Sequence, residues 1–326
     1  MSAFRSAALR GTGLLAAAGA GALGWGLHEA AQQYRVRRHV VPVLPPGTPD
    51  LRVLHVSDLH LLPRQRSRVD FVRGLADLAP DLVISTGDNM ASREGMAAAL
   101  EALDPLLGVP GAFVFGSNDY FGPTPRNPFT YFFSPTSGHR RAEPEHLPAD
   151  ELARAFTARG WVDLTNARGH LTAAGLDVTL VGVDDPHRDY DEFPADDGVR
   201  GRLHLGVTHA PYARILDEFL LDGCHVAFAG HTHGGQVCVP GYGALVTNCD
   251  MPRWRASGLQ AWPGLRPDGV AVAPERRFAP IPHEARVATP APTMWLNISA
   301  GLGTSPYAPV RFACPPEASL LVLTSR

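Results

Sequence analysis

The amino-acid sequence predicts an α/β fold built on parallel strands, with a polar site along one sheet edge. Three observations predict it. First, five strand-like apolar runs each end on Asp, Asn or His. Val53–Ser57 leads into Asp58-Leu59-His60, Leu82–Thr86 into Gly87-Asp88-Asn89, and Ala112–Phe115 into Gly116-Ser117-Asn118-Asp119. Leu203–Thr208 leads into His209, and His225–Ala229 into Gly230-His231-Thr232-His233. Second, Asp58, Asp88 and Asn118 follow one another at intervals of thirty residues. That is about the length of one strand–helix–strand unit. Equal spacing puts the three at the same edge of successive parallel strands, and the carboxyl edge is where open α/β sheets bind ligands. Third, His231 and His233 lie among glycines, which permit a tight turn in which both imidazoles converge. Imidazole is the commonest metal ligand near neutral pH.

The elements follow in order. With 326 residues, the chain is long enough for one α/β domain of ~250 residues and an extension. A net charge of -3, with no basic run interleaved with aromatics, argues against a nucleic-acid partner. Every basic residue is Arg or His; lysine is absent. Gly11–Leu27 is uncharged and mostly Ala, Gly and Leu, with Arg5 and Arg10 before it and Arg35, Arg37 and Arg38 after it. A spanning helix needs about 20 apolar residues, so this stretch sits at the lower limit. The expectation is a single-pass cell-membrane anchor over residues 1–34. The rival is a signal segment cleaved at Ala18-Gly19-Ala20. The larger arginine count on the C-terminal side favours a cytoplasmic domain, although so small a difference leaves the side of the membrane open.

Residues 35–50, with Pro45-Pro46-Gly47 and Pro49, read as a linker, and the domain as residues 51–326. Helical spacing of Val69, Val72, Leu75, Ala76, Leu78 and Ala79 predicts a helix over 68–79, stopped by Pro80. Met96–Leu107 reads as the second crossover helix. Residues 120–148 are rich in Pro and Gly and hold Phe121, Phe129, Tyr131, Phe132 and Phe133 with Arg126, Arg140 and Arg141. So long an insertion is either a substrate cap or a packed surface loop. A helix is expected over Asp150–Gly160. Trp161–Leu164, Leu171-Thr172 and Val178–Val183 read as strands of a second sheet, with a hairpin beside Gly175. Tyr212–Leu221 reads as a helix and Val237–Gly243 as a strand and turn. Residues 262–292, rich in Pro and Arg, read as a second insertion without regular structure. Met294–Ser299 and Ser319–Thr324 close the domain as strands.

Cys224, Cys238, Cys249 and Cys314 show no Cys-x-x-Cys spacing, which argues against a thiolate zinc site. They read as buried thiols, with a Cys238–Cys249 bridge as the alternative in an extracytoplasmic domain.

The blocks Asp58-Leu59-His60, Gly87-Asp88, Gly116-Ser117-Asn118-Asp119, His209 and Gly230-His231-Thr232-His233 resemble the calcineurin-like metallophosphoesterases. In that family the pattern is Asp-x-His, Gly-Asp, Gly-Asn-His-Asp/Glu, a lone His and Gly-His-x-His. The resemblance covers roughly residues 51–250 and the closing strands. It implies a four-layer αββα sandwich of two mixed β-sheets flanked by helices, here preceded by the anchor. It also implies two divalent metal ions, and carboxylate, amide and imidazole donors suit Mn, Fe or Zn. Asp58, His60 and His233 would hold one ion. His209, His231 and Asn118 would hold the other, with Asp88 bridging both. Asp88, Asn118, Asp119 and His209 are the expected catalytic residues.

One block departs from the family pattern. Without a gap, Ser117 takes the place of the metal-binding Asn and Asn118 that of the histidine that protonates the leaving group. A slip of one residue restores Asn118 as ligand, and an amide oxygen binds a hard cation better than a hydroxyl. In either register the histidine is missing, and His55 or His209 is the substitute to examine. The resemblance implies a membrane-anchored phosphoesterase of phosphodiester or pyrophosphate bonds, near the branch of UDP-2,3-diacylglucosamine hydrolases, with a small-molecule or lipid phosphoester substrate. The rivals are a general phosphodiesterase or phosphomonoesterase and a catalytically weak metal-binding membrane module.

Overall fold

The computed structural model describes residues 2–125, 144–264 and 293–326, with side chains from residue 16 onward. Two six-stranded sheets stack face to face. The first comprises β1 (Arg35–Leu44), β2 (Leu51–Val56), β3 (Leu82–Ser85), β4 (Gly111–Phe113), β5 (Val162–Asp163) and β14 (Glu317–Ser325), in the order β1-β14-β2-β3-β4-β5. The second comprises β6 (Ala167–Ala173), β7 (Leu176–Gly182), β8 (Leu203–Val207), β9 (Val226–Ala229), β12 (Gly258–Trp262) and β13 (Met294–Ile298), in the order β12-β13-β9-β8-β7-β6. Both are mixed. β2, β3, β4 and β5 run parallel while β14 opposes β2. β7, β8, β9 and β13 run parallel while β6 and β12 oppose their neighbours. A two-stranded ribbon, β10 (Cys238–Val239) and β11 (Gly243–Ala244), stands apart.

Strand alternation divides the core. Val53, Ile84, Val114, Leu180, Leu205, Val226 and Phe228 fill the space between the sheets. Leu54, Val56, Val83 and Phe113 face outward under α2 (Arg66–Gly74), α3 (Gly95–Leu103) and α5 (Ala149–Thr157), whose Val69, Val72, Ala99, Leu103, Leu152 and Phe156 cover them. On the other side Val181, Ala227, Ala229 and Leu296 meet Ile215, Leu216 and Phe219 of α6 (Ala213–Leu221). The layers are therefore helix, sheet, sheet, helix. The 68–79 helix is realised as α2 followed by a 3-10 turn, Leu75–Leu78, ended by the left-handed Ala79. The hairpin beside Gly175 joins β6 to β7.

Three expectations are corrected. Residues 35–50 are not all linker, since Arg35–Leu44 pairs with β14 as a parallel strand. Its arginines and Pro42 hid it, yet an edge strand tolerates proline because one side of its backbone has no neighbour. Val162–Asp163 joins the first sheet through β4, not the second. The expected spanning helix is not met: among the described residues no helix is long and apolar enough to cross a membrane. Residues 2–32 do form a helix, α1 (Ser2–Gln32), but its Ala and Gly residues contribute little apolarity. The end of α1 is docked on the domain. The Gly26 carbonyl accepts from Arg311 N at 3.0 Å, and Glu29 accepts from the backbone N–H of Cys314 at 2.6 Å. Most of the two insertions, including Phe129, Tyr131, Phe132, Phe133, Arg126, Arg140 and Arg141, lies outside the described residues.

Candidate metal centre

The carboxyl ends of strands from both sheets meet at one place. β2 delivers Asp58 and His60, β3 delivers Asp88, and β4 delivers Asn118 in the short α4 (Ser117–Tyr120). β8 delivers His209, and β9 delivers His231 and His233. Five of these residues hold left-handed backbone: Asp58 at φ 52°, His60 at 42°, Asp88 at 55°, His231 at 66° and His233 at 49°. A non-glycine residue there costs about 1–3 kcal/mol and persists where its surroundings over-determine it, chiefly at functional sites. Gly230 is obligatory for a different reason. A Cβ on it would lie 1.9 Å from Ser57 Oγ and 2.6 Å from Asp58 Oδ2, so the turn after β9 could not close on the turn after β2.

Asp58, His60, Asp88 and His233 offer donor atoms all within 4.8 Å of one another. His60 Nε2 lies 3.1 Å from His233 Nε2 and 3.3 Å from Asp88 Oδ2, and His233 Nε2 lies 3.5 Å from Asp58 Oδ1. On the other side of Asp88, His209 Nε2 lies 3.6 Å from the same Oδ2 and 3.3 Å from His231 Nδ1. The Asn118 amide donates to Asp88 Oδ2 at 2.7 Å. The structure thus brings all seven expected ligands together, with Asp88 between two groups.

The hydrogen bonds behind the imidazoles test whether cations fit. His209 Nδ1 faces the Thr86 carbonyl at 2.7 Å, His231 Nε2 the Asn248 carbonyl at 3.0 Å, and His233 Nδ1 the Gly303 carbonyl at 3.1 Å. A carbonyl only accepts, so each of those nitrogens carries the proton and the opposite nitrogen of a neutral ring presents a lone pair. The lone pairs of His209 and His231 then point at each other across 3.3 Å. A divalent cation satisfies that arrangement; such second contacts orient metal-binding histidines.

Electrostatics agree. Burial pushes His60 down to about 4 and holds His231 and His233 well below their usual value, so these rings are neutral donors at neutral pH. Burial opposes the charge on Asp88, but His209, His60 and the Asn118 amide outweigh it and hold the carboxyl below the usual range. Burial pushes Asp58 up to about 6. Burial would lower His209, yet Asp88, Asp185 and Asp58 overcome it and raise the ring to about 9. The cation-free cluster therefore takes up a proton where a metal would supply positive charge.

Asp119, expected among the catalytic residues, is a brace. Its carboxylate accepts from the backbone N–H of Asp88 at 2.7 Å, Asn89 at 2.8 Å and Gly116 at 3.1 Å, tying the β3 loop to the β4 loop. His55 is excluded as a replacement acid. It is buried behind the site between Thr86 Oγ1 at 2.9 Å and the Asn297 amide at 2.8 Å, and burial pushes it down to about 3. Ser117 starts α4, and it is Asn118 whose side chain reaches Asp88.

Other residues at the site were not anticipated. The loop after β7 brings Asp184, Asp185 and His187, the last with its ring 4.4 Å from that of His231. The rule that found Asp58, an apolar run ending on Asp, applies equally to Val178–Val183 and Asp184. Arg311 is fully buried and donates to the carbonyls of Ala300 at 2.7 Å and Gly303 at 2.7 Å. No spacing signals it. At the end of α4 a cavity of about 500 Å³ is lined by Tyr120, Phe121, His146, Tyr190, Arg93 and Arg154 among others.

Sequence comparison finds relatives in a bacterium and in a mammal. YpbG of Bacillus subtilis (strain 168) is 26% identical over 65% of this chain and 72% of its own length. The metallophosphoesterase YkoQ of the same strain is 26% identical over 60% and 65%. A Bos taurus protein described as a transmembrane protein with metallophosphoesterase domain is 27% identical over 65% of this chain, which spans only 47% of it. Among solved structures, a 5'-nucleotidase precursor from Thermus thermophilus aligns with a TM-score of 0.40 at 13% identity, covering 84% of this chain and 55% of that one. Residues 51–235, more than half of the chain, match the family model described as calcineurin-like phosphoesterase. The chain belongs to the calcineurin-like phosphoesterases, metal-dependent hydrolases of phosphoric esters.

Proposed function

We propose that this chain is a dinuclear-metal phosphoesterase that cleaves phosphodiester or pyrophosphate bonds at a membrane surface, with a nucleotide-linked glycolipid as the substrate class. The placement of Asp88 between two imidazole groups carries the dinuclear reading. Asp58, His60 and His233 would hold one cation and His209, His231 and Asn118 the other, with Asp88 shared. When bound, such a pair supplies Lewis acidity at phosphoryl oxygens and lowers the pKa of water to near neutrality.

The chain's own residues set the rest. Asn118 turns its amide N–H toward Asp88 and so leaves its carbonyl oxygen for a cation. It has no acidic proton to give a leaving group. The ring-lined cavity beside α4 suits a planar group attached to the phosphate. Membrane association is supported by the uncharged Gly11–Leu27 and by the exposure of Leu23 (54%), Trp25 (51%) and Leu27 (43%) on α1. The description of the bovine relative points the same way.

Turnover of bis(4-nitrophenyl) phosphate with added Mn tests the enzymatic reading. Metal-dependent release of nitrophenol is expected; a chain that binds Mn and releases none is the metal-binding module instead. Product analysis on a lipid extract tests the substrate class. Release of a nucleoside monophosphate is expected, and a soluble phosphomonoester as the sole substrate would overturn it.

A further inference from the structure

We propose that Cys238 and Cys314 form a reversible disulfide behind the metal centre, and that closing it loosens the turn that carries His233. The consequence for metal binding rests on the metal-centre reading; the bond itself does not. The two cysteines come from different segments that lie side by side: Cys238 N donates to the Phe312 carbonyl at 2.8 Å, and Val237 bridges Phe312. Their sulfurs converge behind the turn that carries His233. Both also reach one carbonyl, that of Gly234, from 3.3 Å for Cys238 and 3.5 Å for Cys314. Cys314 Sγ lies a further 3.3 Å from the His233 carbonyl. The contact with the turn is close enough to fix its sequence. Gly234 sits at φ +63°, and a Cβ there would lie 2.8 Å from Cys314 Sγ. Cys238 is partly exposed while Cys314 is buried, so an oxidant meets Cys238 first.

Hydrogen peroxide is the oxidant by class. The Cys238 sulfur attacks one peroxide oxygen and becomes a sulfenic acid, releasing water; the Cys314 sulfur then displaces the hydroxyl, which leaves as a second water. Two thiols and one peroxide give one disulfide and two waters, with two electrons passing from sulfur to oxygen. The S–S bond is about 2.05 Å, shorter than any non-bonded contact between two sulfurs, so closing it draws the ribbon toward the 311–314 loop. Both S–H donors vanish. The carbonyls of His233 and Gly234 lose their thiol partners, and the turn that aims the His233 ring loses its support. Changes just behind a ligand typically weaken metal affinity by about 10–100-fold.

The test uses the full chain, reduced, freed of metal and treated with peroxide. Peptide mapping without reductant is expected to show a cross-link between the peptides of Cys238 and Cys314, while Cys224 and Cys249, both buried, remain alkylatable after unfolding. Mn retained at limiting concentration, read by elemental analysis, is expected to fall about 10–100-fold and to recover with dithiothreitol. Peroxide-treated Cys238→Ser, which keeps a hydroxyl donor, should hold Mn like the reduced wild type. Over-oxidation of Cys238 without a cross-link would overturn the proposal, and so would a cross-link that leaves Mn retention unchanged. If Mn binding responds as stated but neither form hydrolyses any phosphoester, the enzymatic reading fails and the disulfide stands.

Discussion

At the residue scale, Asp88 has the most to lose. One carboxylate oxygen faces His60 at 3.3 Å and His209 at 3.6 Å, and the same group accepts the Asn118 amide. Asp88→Ala should reduce both bound Mn and turnover by at least about 100-fold, beyond the range for residues that only support a ligand. Elemental analysis of the purified variant decides it; two ions per chain with unchanged turnover would rule out the bridge. Asn118 carries the second prediction. Protonating a poor leaving group contributes about 10²–10⁴-fold, and neither Asn118 nor the bracing Asp119 is placed to do so. A pyrophosphate-linked substrate leaves as a stable anion, so its kcat/KM should exceed that of a matched alkyl phosphodiester by a factor in that range. Equal rates would mean that another group protonates the alkoxide, and Asn118→His should narrow the gap. The ligands were legible because each follows an apolar run, a local signal. The bracing contacts of Asp119 were not legible because they depend on which backbone N–H groups face it, and Arg311 was missed because its partners are carbonyls, which leave no trace in residue type.

At the scale of elements, crossover helices and buried strands were legible from periodicity, since their faces are apolar throughout. At the margins of the first sheet the reading was poorer. β1 looked like linker because it opens on Arg35, Arg37 and Arg38, charged residues on both faces of the strand, and β5 gave no sign of which sheet it would join. Margins are instead fixed by specific polar ties, and one is testable. Arg168 of β6 grips Asp222, just past α6, through two contacts of 2.8 Å, and His204 of β8 adds a third at 2.9 Å. Burial would raise the Asp222 carboxyl, but Arg168 and His204 outweigh it and hold it below its ordinary value. A depressed carboxyl stabilises the fold above its unfolded value of 3.8 and loses that contribution as pH falls through its folded value. Asp222→Asn should therefore cost about 2 kcal/mol near neutral pH. The deficit should shrink as pH drops below 3.8, where the unfolded carboxyl takes up its proton, and vanish below the lower folded value, where the folded wild type is protonated too. Urea melts at several pH values read it directly; a deficit that does not change with pH would assign the loss to packing.

At the scale of the molecule, the sandwich became legible only through its resemblance to a family. Nothing in the periodicity says that the apolar faces of two sheets will pack against each other. That stacking has a cost which local reading also misses. It drives Asp58 and Asp88, both buried, into the seam where the sheet edges meet, with five residues of the seam in left-handed backbone. β2 and β3 bring their loops from one sheet, β8 and β9 theirs from the other. A cation held by these residues would be bonded to both sheets at once, which would make metal binding and the closure of the sandwich one equilibrium. A ligand that binds only the folded chain stabilises it by about 2.7 kcal/mol at a hundredfold excess over its Kd. For a chain of this size, that corresponds to a rise in Tm of roughly 4–5 °C. The full chain melted with a chelator should therefore unfold that much earlier than with Mn, and restoring Mn before unfolding should recover the difference. Asp88→Ala, which lacks the bridge, should melt at the same temperature under both conditions. A wild-type Tm indifferent to chelator and Mn would mean that the seam is held by protein contacts alone, and that the ligand cluster does not clamp the two sheets.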